Sequence, residues 1–141
     1  MAGYSGTPLA QKLGYKTGVR VWIQAMPPDY RDWLAPLPQG VVFQRRAGAD
    51  TALHHLFLSR RAQLERSLRL LRASMRPDAM IWVSWPKKAS GLASEIGEDD
   101  IRAVALPLGL VDVKVCAVSE VWSGLKLVLR KEARPGSHQS K

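Results

Sequence analysis

The sequence predicts an α/β sandwich of three layers, in which helices cover both faces of a mostly parallel sheet of about six strands that ends in an antiparallel hairpin. Three observations carry this prediction. Short, β-branched runs at Val19–Gln24, Gly40–Gln44, Thr51–Leu58 and Ala79–Trp85 are bounded by turn residues and are too short for helices. Between the third and fourth, Leu64, Leu68, Leu71 and Met75 recur at spacings of four, three and four, which is one face of a helix. Strand, helix and strand in that order make a crossover between parallel neighbours. Finally, Val111–Val118 and Leu125–Arg130 are separated only by Ser119–Gly124, a link short enough to make them an antiparallel pair.

Residues 1–18 place Gly3, Gly6, Pro8, Gly14 and Gly18 around an apolar patch of Leu9, Ala10 and Leu13. They read as a lead-in with about one helical turn, packed on the domain rather than part of its sheet. The first strand ends at Pro27-Pro28-Asp29, where Asp29 is placed to N-cap a short helix through Leu34 that Pro36 and Pro38 close. Ala47–Asp50 is a turn, and Ser59 is the expected N-cap of the helix over 60–75. The fourth strand is apolar on both faces, as an interior strand requires, and Pro86 stops it because proline has no N–H for the ladder. Glu98, Asp99 and Asp100 favour a helix start, Ile101, Val104, Ala105 and Leu108 form its stripe, Pro107 shortens its last turn and Gly109 ends it. Asp112 and Lys114 are expected on one strand face, pairing with each other or with Lys126. The α/β domain is expected over 19–133 and a disordered basic tail over 134–141.

The 141 residues carry a formal charge of +9, which favours an anionic partner: a small molecule, an acidic protein surface or nucleic acid. Nucleic acid is the least favoured, because the arginines of the 60–75 helix lack interleaved aromatic residues on which bases could stack. The single cysteine, Cys116, can form no internal disulfide and reads as a small buried hydrophobe in a reducing cytoplasm. No run of about 18 apolar residues suggests a membrane span. His54 and His55 point to opposite faces of their strand and cannot share a metal, and no cofactor or metal site is expected.

The order of elements resembles a shortened class I methyltransferase-like (Rossmann-like) sheet, whose last two strands also form a hairpin. More specifically, Gly3-Tyr4-Ser5-Gly6-Thr7-Pro8-Leu9, Trp82–Gly91, Val111–Val115 and Val121–Lys126 resemble a small bacterial family catalogued as domain of unknown function 3052. The Trp85-Pro86-Lys87-Lys88 and Trp122-Ser123-Gly124-Leu125-Lys126 strings are its most specific features. This resemblance covers nearly the whole chain and implies no activity, cofactor or site residue.

In an open α/β sheet the ligand sits beyond the carboxyl ends of the strands. Lys87, Lys88, Ser90 and Gly91 follow the fourth strand there, with Trp85 beside them, and form the candidate anion site. Pro27, Asp29, Ser59 and Trp122 are the candidate rim. A methyltransferase would need a glycine-rich turn after the first strand and an acid after the second; Ala25-Met26-Pro27-Pro28 and Gln44-Arg45-Arg46 stand in those places. The leading expectation is therefore a non-catalytic cytoplasmic binding or interaction module with no catalytic residues. A divergent S-adenosylmethionine-dependent methyltransferase and a nucleic-acid-binding protein are the alternatives.

Overall fold

A computed structural model describes residues 6–134 of the chain. The first five residues of the lead-in, and the basic tail beyond Arg134, lie outside the described residues.

Six strands form one sheet: β1 (Arg20–Gln24), β2 (Val42–Phe43), β3 (Leu53–Phe57), β4 (Met80–Pro86), β5 (Leu110–Ala117) and β6 (Trp122–Leu129), in the order β2-β1-β3-β4-β6-β5. β1 is parallel to β2 and β3, β3 is parallel to β4, and β6 lies antiparallel between β4 and β5. The hairpin folds back so that its second strand is the inner one, which leaves β6 as the only reversed strand among the described residues. The expected mostly parallel sheet ending in a hairpin is therefore present.

Periodicity decides which residues each face buries. On one face, Leu56, Ile81, Val83, Leu125 and Leu127 pack against Leu64, Leu68 and Leu71 of α3 (Arg61–Ser74) and against Ile101 and Ala105 of α4 (Glu98–Ala105). On the other, Val21, Leu53, Phe57 and Trp82 meet Ala10 and Leu13 of α1 (Leu9–Leu13) and Tyr30 and Leu34 of α2 (Tyr30–Leu34). Every residue of β3 is buried, because helices cover it on both sides. Gly109 adopts φ +83 just past the 3₁₀ turn Leu106–Leu108 that Pro107 imposes on the end of α4, as expected of a C-terminal glycine. Cys116 is buried and free. Among the described residues no helix is long and apolar enough to cross a membrane.

Local expectations failed where a distant partner intervened. Ser59 does not cap α3: the Arg61 amide donates to the Glu95 carboxylate at 3.0 Å, a group supplied by the loop after β4. Asp29 occupies the N-cap position of α2 but its side chain makes no capping bond. Asp112 and Lys114 do not share a face, because a bulge between them breaks the alternation. Lys114 lies opposite Lys126, while Asp112 turns to the α4 side and pairs with Arg102 at 2.9 Å. The hydrogen bond from Arg102 holds the Asp112 carboxyl below the usual carboxylate range.

Candidate functional site

Strand register defines the carboxyl rim of the sheet. Gln24 is level with Leu56, Phe57 with Ser84, and Pro86 with Trp122. The chain therefore leaves the sheet at Ala25, Leu58 and Lys87 along one edge, and β6 enters beside them. Strand order reverses between β1 and β3, so the switch-point crevice lies on this edge. Ala25, next to it, has φ +58, which costs a residue with a Cβ roughly 1–2 kcal/mol. Backbone strain of this kind clusters at ligand sites.

The lysine loop is fixed on this rim. The Lys87 amide donates to the Val121 carbonyl at 2.8 Å, and Lys88–Ser90 form a 3₁₀ turn closed by Gly91 at φ +78. The Ser90 hydroxyl donates to the Lys87 carbonyl at 2.7 Å and accepts the Leu92 amide, so Ser90 and Gly91 shape the turn. Neither Lys87 nor Lys88 forms an ion pair among the described residues. What the loop offers a ligand is thus two ammonium groups held at a strand end.

The other predicted residues divide between the faces. Trp85 packs against the α3/α4 core, whereas Trp122 lies on the α1/α2 side, edge-on to Phe57 at 5.0 Å. The two tryptophans therefore do not line one wall. Pro27 and Asp29 lie between β1 and α2 on the Trp122 side, and the Ser59 carbonyl accepts the Glu95 amide at 2.8 Å.

A buried polar chain beneath the rim was not predicted. The Tyr15 and Tyr30 hydroxyls lie 2.7 Å apart, Tyr30 Oη is 2.9 Å from His55 Nδ1, and His55 Nε2 is 2.8 Å from Ser84 Oγ. Burial pushes the His55 pKa down to about 3 and raises both tyrosines, so all members are neutral at pH 7. His55 stacks on Phe57 at 4.3 Å, and Tyr30 stands edge-on to both rings at 5.3 and 5.4 Å. Trp33 completes the cluster at 6.1 Å from Tyr30 and 6.5 Å from Phe57. The signal was present in the alternation Leu53, His55, Phe57, but the partners Tyr15 and Tyr30 come from irregular or short elements. His54 faces the other side, with Nδ1 at 3.0 Å from the Met80 carbonyl oxygen, as strand alternation requires. No metal-holding group of His, Cys, Asp and Glu exists among the described residues.

The residues of the switch point do not match what S-adenosylmethionine would need. The turn after β1 contains no glycine to let the backbone approach a ligand. β2 stops at Phe43, level with Val21 and short of the rim, and Gln44-Arg45-Arg46 follow with no carboxylate for ribose hydroxyls. The Gln44 side chain instead accepts the Thr51 hydroxyl at 2.6 Å.

No protein-family model matches the chain, and no curated protein matches it by sequence. Solved structures do match. A provisionally assigned type 11 methyltransferase from Sulfolobus solfataricus aligns with TM-score 0.63 at 12% identity, over 92% of this chain and 94% of that one. Magnesium protoporphyrin IX methyltransferase from Synechocystis, solved with bound S-adenosylmethionine, aligns with TM-score 0.54 at 12% identity, over 86% of this chain and 74% of that one. An enzyme of a pericyclic reaction aligns with TM-score 0.54 at 16% identity, over 88% of this chain but only 47% of its own. The chain thus has the class I methyltransferase-like Rossmann fold, which at such identities fixes the scaffold and not the chemistry.

Proposed function

We propose that this protein binds an anionic ligand at the carboxyl rim of its sheet, with Lys87 and Lys88 supplying the positive charge, and that it does so without catalysing a reaction. The observation that carries this reading is the pair of ammonium groups without an ion-pair partner among the described residues, on a hydrogen-bonded turn at the edge where this fold takes its ligands. The overall charge of +9 draws anions toward the molecule. A resemblance to domain of unknown function 3052 is compatible with this role and adds no chemistry to it.

Isothermal titration and thermal shift with pyrophosphate and AMP test the reading. A ligand at one hundred times its Kd adds about 2.7 kcal/mol, which raises Tm by roughly 9 °C in a domain of this length. The double variant Lys87→Glu, Lys88→Glu should abolish that shift; unchanged affinity removes the site.

The fold neighbours favour a second reading, a divergent S-adenosylmethionine-dependent methyltransferase, more directly than they favour a binding module. Against it stand the glycine-free first turn, the short β2 and the absent acid. No methyl-transfer step follows from the residues present. S-adenosylmethionine belongs in the same titration: saturable binding that survives lysine charge reversal would decide for this second reading.

A further inference from the structure

We infer that the ligand carries a planar aromatic ring beside its negative charge, and that the half-buried Trp122 offers the face on which the ring stacks, with Trp33 farther along the rim and the buried Phe57 behind both. This rests on the reading that Lys87 and Lys88 hold an anion, and it names the other half of the ligand.

Aromatic face and charge are joined by the ladder. Trp122 is the register partner of Pro86, and the next residue, Lys87, donates its amide to Val121. Phe57 ends β3 one strand farther in, and Trp33 reaches it from α2 on the far side. Two indoles therefore stand on the rim, Trp122 edge-on to the buried Phe57 at 5.0 Å and Trp33 tilted against it at 6.5 Å. Trp33 and Trp122 are only half-buried. Their indole N–H groups donate to nothing among the described residues, whereas the buried Trp82 N–H donates to the Leu13 carbonyl.

This face is also preorganised. His55 lies stacked under Phe57, and His55 is held by Tyr30 on one nitrogen and Ser84 on the other. Tyr30 is tied to Tyr15 as well, and it anchors α2, the helix that carries Trp33. Rings whose orientation is already fixed lose little freedom when a ligand stacks on them. Charge then orients the ligand. Asp29 and Asp32 outweigh Arg31 around Trp33, whereas Lys87 and Lys88 outweigh the exposed Glu120 at the loop end, so the favourable place for an anion is the Lys87 end, with the ring extending toward α2.

The test is a calorimetric series on the full chain with AMP, phenyl phosphate, ribose 5-phosphate and inorganic phosphate. AMP should bind about tenfold tighter than ribose 5-phosphate, and phenyl phosphate similarly tighter than phosphate, which is the lower part of what one stacked ring contributes. Trp122→Leu, which keeps apolar packing but removes the ring face, should erase that preference and leave phosphate affinity intact. Lys87→Ala with Lys88→Ala should weaken all four. Equal affinity of wild type for AMP and ribose 5-phosphate overturns the aromatic face while the anion site stands. Full ring preference in Trp122→Leu overturns its location, and failure of all four probes to bind overturns both proposals.

Discussion

Acidification from pH 7 to pH 5 should destabilise this protein by about 2 kcal/mol through His55 alone. Burial strips the imidazolium of hydration and holds the folded-state pKa of His55 at about 3, while Tyr30 and Ser84 hydrogen-bond its two ring nitrogens. The unfolded chain titrates near the ordinary value of about 6.5. A histidine with a depressed folded pKa contributes stability that is fully present above the unfolded value. That stability is lost as pH falls toward the folded value, because the unfolded state takes up the proton first. Integration between pH 7 and 5 gives about 2 kcal/mol, and with roughly 0.3 kcal/mol/K of unfolding entropy for a chain of this length the Tm falls by about 7 °C. His54, whose pKa is lowered by burial, adds in the same direction. The Asp112 carboxyl, already held low by Arg102, does not titrate in this window. The assay is urea unfolding at half-unit steps of pH for wild type and for His55→Gln. Whatever its absolute stability, the variant should show a pH slope shallower by about 1.4 kcal/mol per unit below pH 6. Parallel curves for the two proteins would refute the buried neutral histidine.

Three further perturbations probe the same construction. Tyr30→Phe removes the hydroxyl between Tyr15 and His55 and strands a buried ring nitrogen, so urea unfolding should show a loss of about 1–3 kcal/mol. Gly124→Ala drives a Cβ to 3.0 Å from Val118 Cγ2 and 3.2 Å from Trp82 Cε3 in the middle of β6, and overpacking there should cost about 1–3 kcal/mol. Glu95→Ala frees the first amide of α3 and should cost about 1 kcal/mol, with faster amide exchange at Arg61 as the local signature.

Much of the scaffold was legible because it rests on short-range regularities. The stripe Leu64, Leu68, Leu71 and the apolar run through Trp82 place α3 and β4 with no knowledge of their neighbours. Pro86 marks the end of β4 for a covalent reason that no tertiary context can override. Gly109 and Pro107 punctuate the end of α4 in the same way. What failed was set by partners distant in sequence. Ser59 has the chemistry of a cap, yet Glu95 reaches the same amide from the far side of β4. Asp112 and Lys114 alternate correctly on paper, but a bulge with no glycine or proline to announce it sends one to Arg102 and the other to the opposite face.

The rim shows the same division more sharply. Lys87 and Lys88 could be placed at the edge of the sheet from strand order alone, and Ser90 and Gly91 recognised as turn residues, but which tryptophan stands beside them depends on register. Trp85 is adjacent in sequence and points to the α3/α4 core, whereas Trp122 is 35 residues beyond Lys87 and lies next to it because β6 is inserted beside β4. That insertion also brings Gly124 over Ser84, where a Cβ would crowd, at 3.3 Å, the hydroxyl that holds His55. The reversed strand therefore does two things at once: it delivers a half-buried indole to the cationic loop, and its glycine leaves space beside the Ser84 hydroxyl that holds His55 under Phe57. A sheet closed by a strand in any other position would keep the two lysines at its edge and lose the surface beside them.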